Sequence, residues 1–138
     1  MTEAVSDLKT MISSMTPILN DRHVAYVSLD GFEMPAGLAL KDIIALFREA
    51  EGLTLIVDLA TAESGALPIA FRAAWITLTV HSDLAAVGLT AAFAKALGDH
   101  GISCNVMAAY FHDHIFVPIE KAELAMQALR DLQRSALA

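Results

Sequence analysis

Apolar residues at Val5, Leu8, Met11, Ile12 and Met15 recur at spacings of three and four, which predicts a helix over residues 3–15 that Pro17 ends. Residues 17–19 form a short apolar run, and Asn20-Asp21-Arg22 has the composition of a turn. Residues 23–29 alternate, with Val24, Tyr26 and Ser28 against Ala25, Val27 and Leu29. This predicts a second strand, antiparallel to the first through a tight hairpin. Residues 30–40 carry Gly31, Pro35 and Gly37 and form the longest loop-like stretch, a place where function concentrates. Residues 43–48 satisfy strand and helix patterns alike. Residues 53–58, Leu-Thr-Leu-Ile-Val-Asp, read as a buried strand. A helical turn over 60–64 and a linker at Gly65-Ala66-Leu67-Pro68 follow.

The second half is more regular. Residues 75–80 read as a strand, with Ile76, Leu78 and Val80 on one face and Thr77 and Thr79 on the other. His81-Ser82-Asp83 supplies helix-capping residue types before a helix over 84–98. That helix carries two apolar stripes, Leu84, Val87, Ala91 and Ala94, and Leu89, Phe93 and Leu97, so two of its sides are buried. Gly101 fits its C-terminal stop. Strands over 102–110 and 114–117 join around Phe111-His112-Asp113, which puts Asp113 in the turn, and 120–134 is an amphipathic helix. From Trp75 to Arg134 the order is β-α-β-β-α, a ferredoxin-like unit lacking its last strand. The first half reads α-β-β-β-β-α. The expected fold is therefore α+β, with two ferredoxin-like halves, residues 1–66 and 71–138, built as antiparallel sheets with helices packed on one face.

Composition narrows the function classes. Hydrophobic residues are 56 % of the 138 and charged residues only 18 %, which excludes a disordered chain. The longest stretch without Asp, Glu, Lys or Arg, 100–112, is too short and too polar to span a bilayer, so no membrane association is expected. The net charge is −7, and it is uneven: residues 1–70 hold ten acidic and four basic side chains, residues 71–138 six and five. Lys and Arg are scattered, so nucleic acid is not an expected partner. Cys104 is the single cysteine, so no intramolecular disulfide forms. No Lys or Arg adjoins it to activate the thiol. The opening Met-Thr-Glu-Ala-Val-Ser-Asp has neither the basic nor the apolar part of a secretory leader, and a cytoplasmic location is expected.

Four stretches carry a family resemblance. Residues 76–90, Ile-Thr-Leu-Thr-Val-His-Ser-Asp-Leu-Ala-Ala-Val-Gly-Leu-Thr, are followed by Leu97-Gly-Asp-His-Gly-Ile-Ser-Cys-Asn-Val. This pattern of a strand, a short loop, Val87-Gly88 opening a helix and Gly101-Ile102 entering the next strand resembles an ACT domain. The ending Tyr110-Phe-His-Asp-His-Ile-Phe-Val-Pro and the segment Phe47-Arg-Glu-Ala-Glu-Gly-Leu-Thr resemble one branch of that family, small stand-alone tandem ACT-like proteins of unassigned function. The similar stretches cover roughly residues 17–134.

The resemblance implies a regulatory module that binds amino acids. It places the ligand at the loop after the first ACT strand, at Ser82, Asp83, Leu84, Val87, Gly88, Leu89 and Thr90, opposite Asn105 and Val106. The chemistry suits an amino acid. Gly88 lets the backbone approach closely, a helix N-terminus presents free N–H groups to a carboxylate, and Asp83 meets an ammonium group. The same residues serve equally well as a helix cap and a packing glycine. Residues 30–42 of the first half hold Gly and Pro where a helix and a Val-Gly opening belong, so the site is expected where the halves meet or between chains.

Other constellations read less sharply. Arg48 can fork a carboxylate and Glu49 can take an ammonium, although Arg48-Glu49-Ala50-Glu51-Gly52 also makes a plain turn. His112-Asp113-His114 invites a metal, but a turn there separates the imidazoles and no third ligand adjoins them. No phosphate loop, nucleophile elbow or zinc-helix motif is present. Trp75, Phe93 and Phe116 belong in the core.

The expectation is a non-enzymatic module of ACT type that binds a free amino acid as effector. It would act through its oligomeric state, as a homodimer, or through an unidentified protein partner, with no cofactor. The alternatives are a structural or interaction protein on the same fold with no ligand, and a small enzyme or metal site at His112-Asp113-His114.

Overall fold

The computed structural model describes residues 7–137. Helix α1 (Leu8–Ser14) begins where the Asp7 carboxylate accepts the Thr10 N–H at 2.9 Å and the Thr10 hydroxyl at 2.7 Å. The expected start at residue 3 lies outside the described residues. Pro17 opens β1 (Pro17–Asp30), which runs without interruption. The hairpin expected at Asn20-Asp21-Arg22 does not form. The Asn20 amide, a turn-former when it bonds its own backbone, instead donates to the Trp75 carbonyl at 3.0 Å and the Thr77 hydroxyl at 3.1 Å.

Strand β2 (Ile43–Arg48) follows the loop and resolves the ambiguity of that run in favour of a strand. Then come β3 (Gly52–Asp58), α2 (Leu59–Ser64), β4 (Ile69–Leu78), α3 (Leu89–Gly98), β5 (Asn105–Ala108), β6 (Asp113–Pro118) and α4 (Ala122–Ser135). Gly65-Ala66-Leu67-Pro68 is a tight turn rather than a linker: the Gly65 N–H bonds the Thr61 carbonyl, and the Leu67 N–H bonds that of Ala62. Strand β4 accordingly starts at Ile69, earlier than the expected Trp75.

The chain divides into two compact units, one spanning Asp21–Ala73 and one made of the segment ending at Asn20 together with the segment beginning at Ala74. Strands β1 and β4 each run through both. In the Asp21–Ala73 unit the strand order is β2-β3-β1-β4, and β3 pairs antiparallel with both β2 and β1. Ala25 opposes Val57, Val27 opposes Leu55 and Leu29 opposes Leu53. These pairs share one face and pack with Ala62 of α2, so the alternation read from the sequence is a buried face.

In the other unit the order is β1-β4-β6-β5, with β5 and β6 antiparallel. Ile76 and Leu78 of β4 and Ile115 and Val117 of β6 pack with Met11 and Met15 of α1, Phe93 and Leu97 of α3, and Ala125, Met126 and Leu129 of α4. Three amphipathic helices cover that one face. Gln133 of α4 ties the start of the chain to this core, its amide donating to the Ser13 carbonyl at 2.9 Å and the Thr16 hydroxyl at 3.1 Å.

Candidate ligand site

Beyond β4, the chain turns before it becomes helical. The Asp83 carboxylate accepts the Ala85 N–H at 2.8 Å, and the Asp83 carbonyl accepts the Ala86 N–H at 2.9 Å. Asp83 therefore holds a turn, and the helix expected from residue 84 starts at Leu89. Gly88 is the reason for the offset. Its φ of +106° lies in left-handed space that a helix interior cannot use. The first bond of α3 runs from the Ala92 N–H to the Gly88 carbonyl at 3.0 Å, so the N–H groups of Leu89, Thr90 and Ala91 have no acceptor within the helix. At its other end, the Ile102 N–H closes onto the Leu97 carbonyl at 3.1 Å beside Gly101, which ends the helix as expected.

A cavity of about 310 Å³ opens at this N-terminus. Ser82, Asp83, Leu84, Val87, Gly88, Leu89 and Thr90 line it, seven residues singled out in the sequence. Ala86, from the same loop, and Met11, Ala108 and Asp113, which were not anticipated, complete the wall. Asn105 and Val106 do not line it. Asn105 is exposed, with its amide 3.4 Å from the Phe116 carbonyl, and Val106 packs against the core. Leu84 and Val87 are exposed apolar side chains at the rim.

Asp113 is the unexpected member. It is the first residue of β6, paired with Ala108, and the hairpin closes through the Ala109 N–H to the His112 carbonyl at 3.0 Å. The turn therefore lies before Asp113, which is only 6 % exposed. Burial pushes its carboxyl above the usual 3.8, and the nearby His112 opposes that rise. Its signal in the sequence is an acid just before a continuous apolar run, Asp113-His-Ile-Phe-Val, where an exposed turn would carry no such run.

The remaining candidates lie elsewhere. Glu49 sits in the β2–β3 turn, its carboxylate accepting the Thr54 hydroxyl at 2.5 Å while its N–H bonds the Gly52 carbonyl at 2.8 Å. Arg48 is exposed at the end of β2. His112 points its Nδ1 to within 3.4 Å of the Val80 carbonyl, whereas His114 Nδ1 accepts the Trp75 indole N–H at 3.0 Å. Among the described residues no group of three or more His, Cys, Asp or Glu is arranged to hold a metal. Cys104 is half-buried, and burial pushes its thiol up to about 11. Phe93 and Phe116 are buried as expected, while Trp75 is half-buried and stacks on Phe116 at 6.4 Å. No helix among the described residues is long and apolar enough to cross a membrane.

Residues 3–74 and residues 71–131 each match a family model of the ACT domain, so two matches in tandem account for most of the chain. The chain belongs to the ACT-domain family. ACT domains have a ferredoxin-like fold, and the antiparallel strands and helices described above are two of them in tandem. They are regulatory modules rather than catalytic ones. Among solved structures, a protein of unknown function from Vibrio cholerae, described as a possible transport protein, is 45 % identical, with 91 % of this chain and 95 % of that one covered and a TM-score of 0.76. The regulatory subunit of aspartate kinase from Thermus thermophilus, in a ligand-free form, shares the fold at 13 % identity, covering 87 % of this chain and 97 % of that one with a TM-score of 0.63. A protein from Agrobacterium tumefaciens shares it at 16 % identity, covering 80 % and 81 %, with a TM-score of 0.61. No curated protein matches the chain.

Proposed function

We propose that this protein is a non-catalytic regulatory module that binds a free amino acid at the ACT loop of residues 82–90. The observation that carries this reading is the cavity at the N-terminus of α3, walled by the loop that the ACT resemblance designates. Its chemistry suits a zwitterion. The unpaired N–H groups of Leu89, Thr90 and Ala91, with the positive end of the helix, favour a carboxylate. Asp83 uses one oxygen on the Ala85 N–H and keeps the other for an ammonium group. A volume of about 310 Å³ accommodates a small molecule of this class.

Binding becomes regulation only if the ligand prefers one state of the protein over another. We take that second state to be a different oligomer, a homodimer being the simplest, or a complex with a partner protein. The test is thermal unfolding against the twenty amino acids at millimolar concentration. A ligand at about a hundred times its Kd stabilises by roughly 2.7 kcal/mol, which raises the midpoint by several degrees. One amino acid or one chemical class should do so, and sedimentation with and without it should reveal the change of state. A flat panel would reject the amino-acid reading.

A further inference from the structure

Among the described residues, the cavity wall carries charged side chains of one sign only. Asp83 and Asp113 both line it, and no Lys or Arg does. The two acids differ in setting. Asp83 is exposed, and a turn N–H already occupies one of its oxygens. Asp113 is 6 % exposed, and among the described residues no hydrogen bond or ion pair engages its carboxylate. A carboxylate on so nearly enclosed a residue is poorly hydrated, which raises the cost of its charge. Burial holds the Asp113 carboxyl above its usual range, the condition that a bound cation would relieve.

We propose that Asp113 is the ammonium anchor of this cavity and restricts it to ligands that carry a cationic amine. This rests on the reading of the cavity as a ligand site. An exposed acid contributes little to binding a cation, because water screens the pair. A buried acid discriminates strongly, because a ligand lacking the amine leaves it unpaired. Asp113 thus excludes carboxylic acids without an amine, and disfavours amino acids with a second carboxylate, which would meet two acids and no base. The helix N-terminus alone would accept all of these.

The test measures binding by calorimetry to the wild-type protein and to D113N and D83N. The probes are the twenty L-amino acids, with the deaminated acid and the decarboxylated amine of each. For any amino acid that binds, the wild-type protein should prefer it to its deaminated acid at least a hundredfold. D113N should lose tenfold or more for the amino acid and nothing for the deaminated acid, while D83N should lose less. The wild-type comparison needs no variant to fold. If amino acids bind but D113N keeps the wild-type affinity and preference, the anchor is refuted and the amino-acid reading stands. If only the decarboxylated amines bind, and D113N abolishes it, the anchor stands and the amino-acid reading falls. If none of the compounds binds, both fall.

Discussion

The Trp75 indole N–H donates to Nδ1 of His114 at 3.0 Å, joining the neighbouring strands β4 and β6. The bond fixes the tautomer: Nδ1 accepts, so the ring proton sits on Nε2. Protonation of Nδ1 would destroy the acceptor. Burial first, and the charge of His112 second, hold His114 below its usual 6.5. The unfolded chain therefore binds the proton more readily, and stability is lost as pH falls from 6.5 through the lowered folded value. The urea midpoint should be level for this group above 6.5 and should decline below it. In His114→Gln, whose amide oxygen accepts from Trp75 without titrating, the decline should be smaller. Identical pH profiles in the two proteins would exclude this coupling.

Asn20 gives a second stability prediction. Its amide bonds both the Trp75 carbonyl and the Thr77 hydroxyl in a half-buried setting. Asn20→Ala should cost about 1–2 kcal/mol, readable as a lower urea midpoint. A residue in the exposed turn that its neighbours suggest would cost less than about 0.5 kcal/mol.

That contrast shows where the sequence is legible. The strand alternation at Ala25, Val27 and Leu29 and the stripe at Leu89, Phe93 and Leu97 are set by the burial they enter, so the periodicity reports the core directly. Asn20 and Asp113 mislead for one reason: turn formers were read by residue type, whereas Asn20 bonds β4 and Asp113 is buried in the cavity wall. The start of α3 is lost because Asp83 can cap a helix or a turn, and only the backbone of Gly88 decides between them. The loop wall of the cavity was legible through the Val87-Gly88 pattern. Met11, Ala108 and Asp113 were not, because they reach the cavity from α1 and the β5–β6 hairpin.

Gly88 sets the geometry of both the helix start and the cavity. At φ +106°, any side chain is strained, and a Cβ would stand 3.1–3.2 Å from the terminal carbons of Leu8. Gly88→Ala should therefore destabilise by about 1–3 kcal/mol. A thermal melt would show it as a drop of several degrees. Gly88→Ala/Leu8→Ala should recover the part due to the clash, leaving the backbone part. A double variant no better than Gly88→Ala would mean that backbone strain accounts for the whole cost.

Asp113 should show the opposite sign. Its folded-state carboxyl is raised, so the folded chain holds the proton more tightly than the unfolded one. The stability it contributes is present below the usual 3.8 and is lost as pH rises through the raised value, so the ionised form works against folding at neutral pH. Asp113→Asn removes that charge at nearly constant shape. The variant without ligand should melt higher than the wild-type protein at pH 7, by on the order of 1 kcal/mol, or about 3 °C. The difference should shrink as pH is lowered toward 4. Saturating ligand should reverse the order, because only the wild-type carboxylate then gains a partner. A residue kept for the fold alone would lose stability on substitution at every pH, with or without ligand. The crossing of the two melting curves separates a carboxylate held for binding from one held for structure.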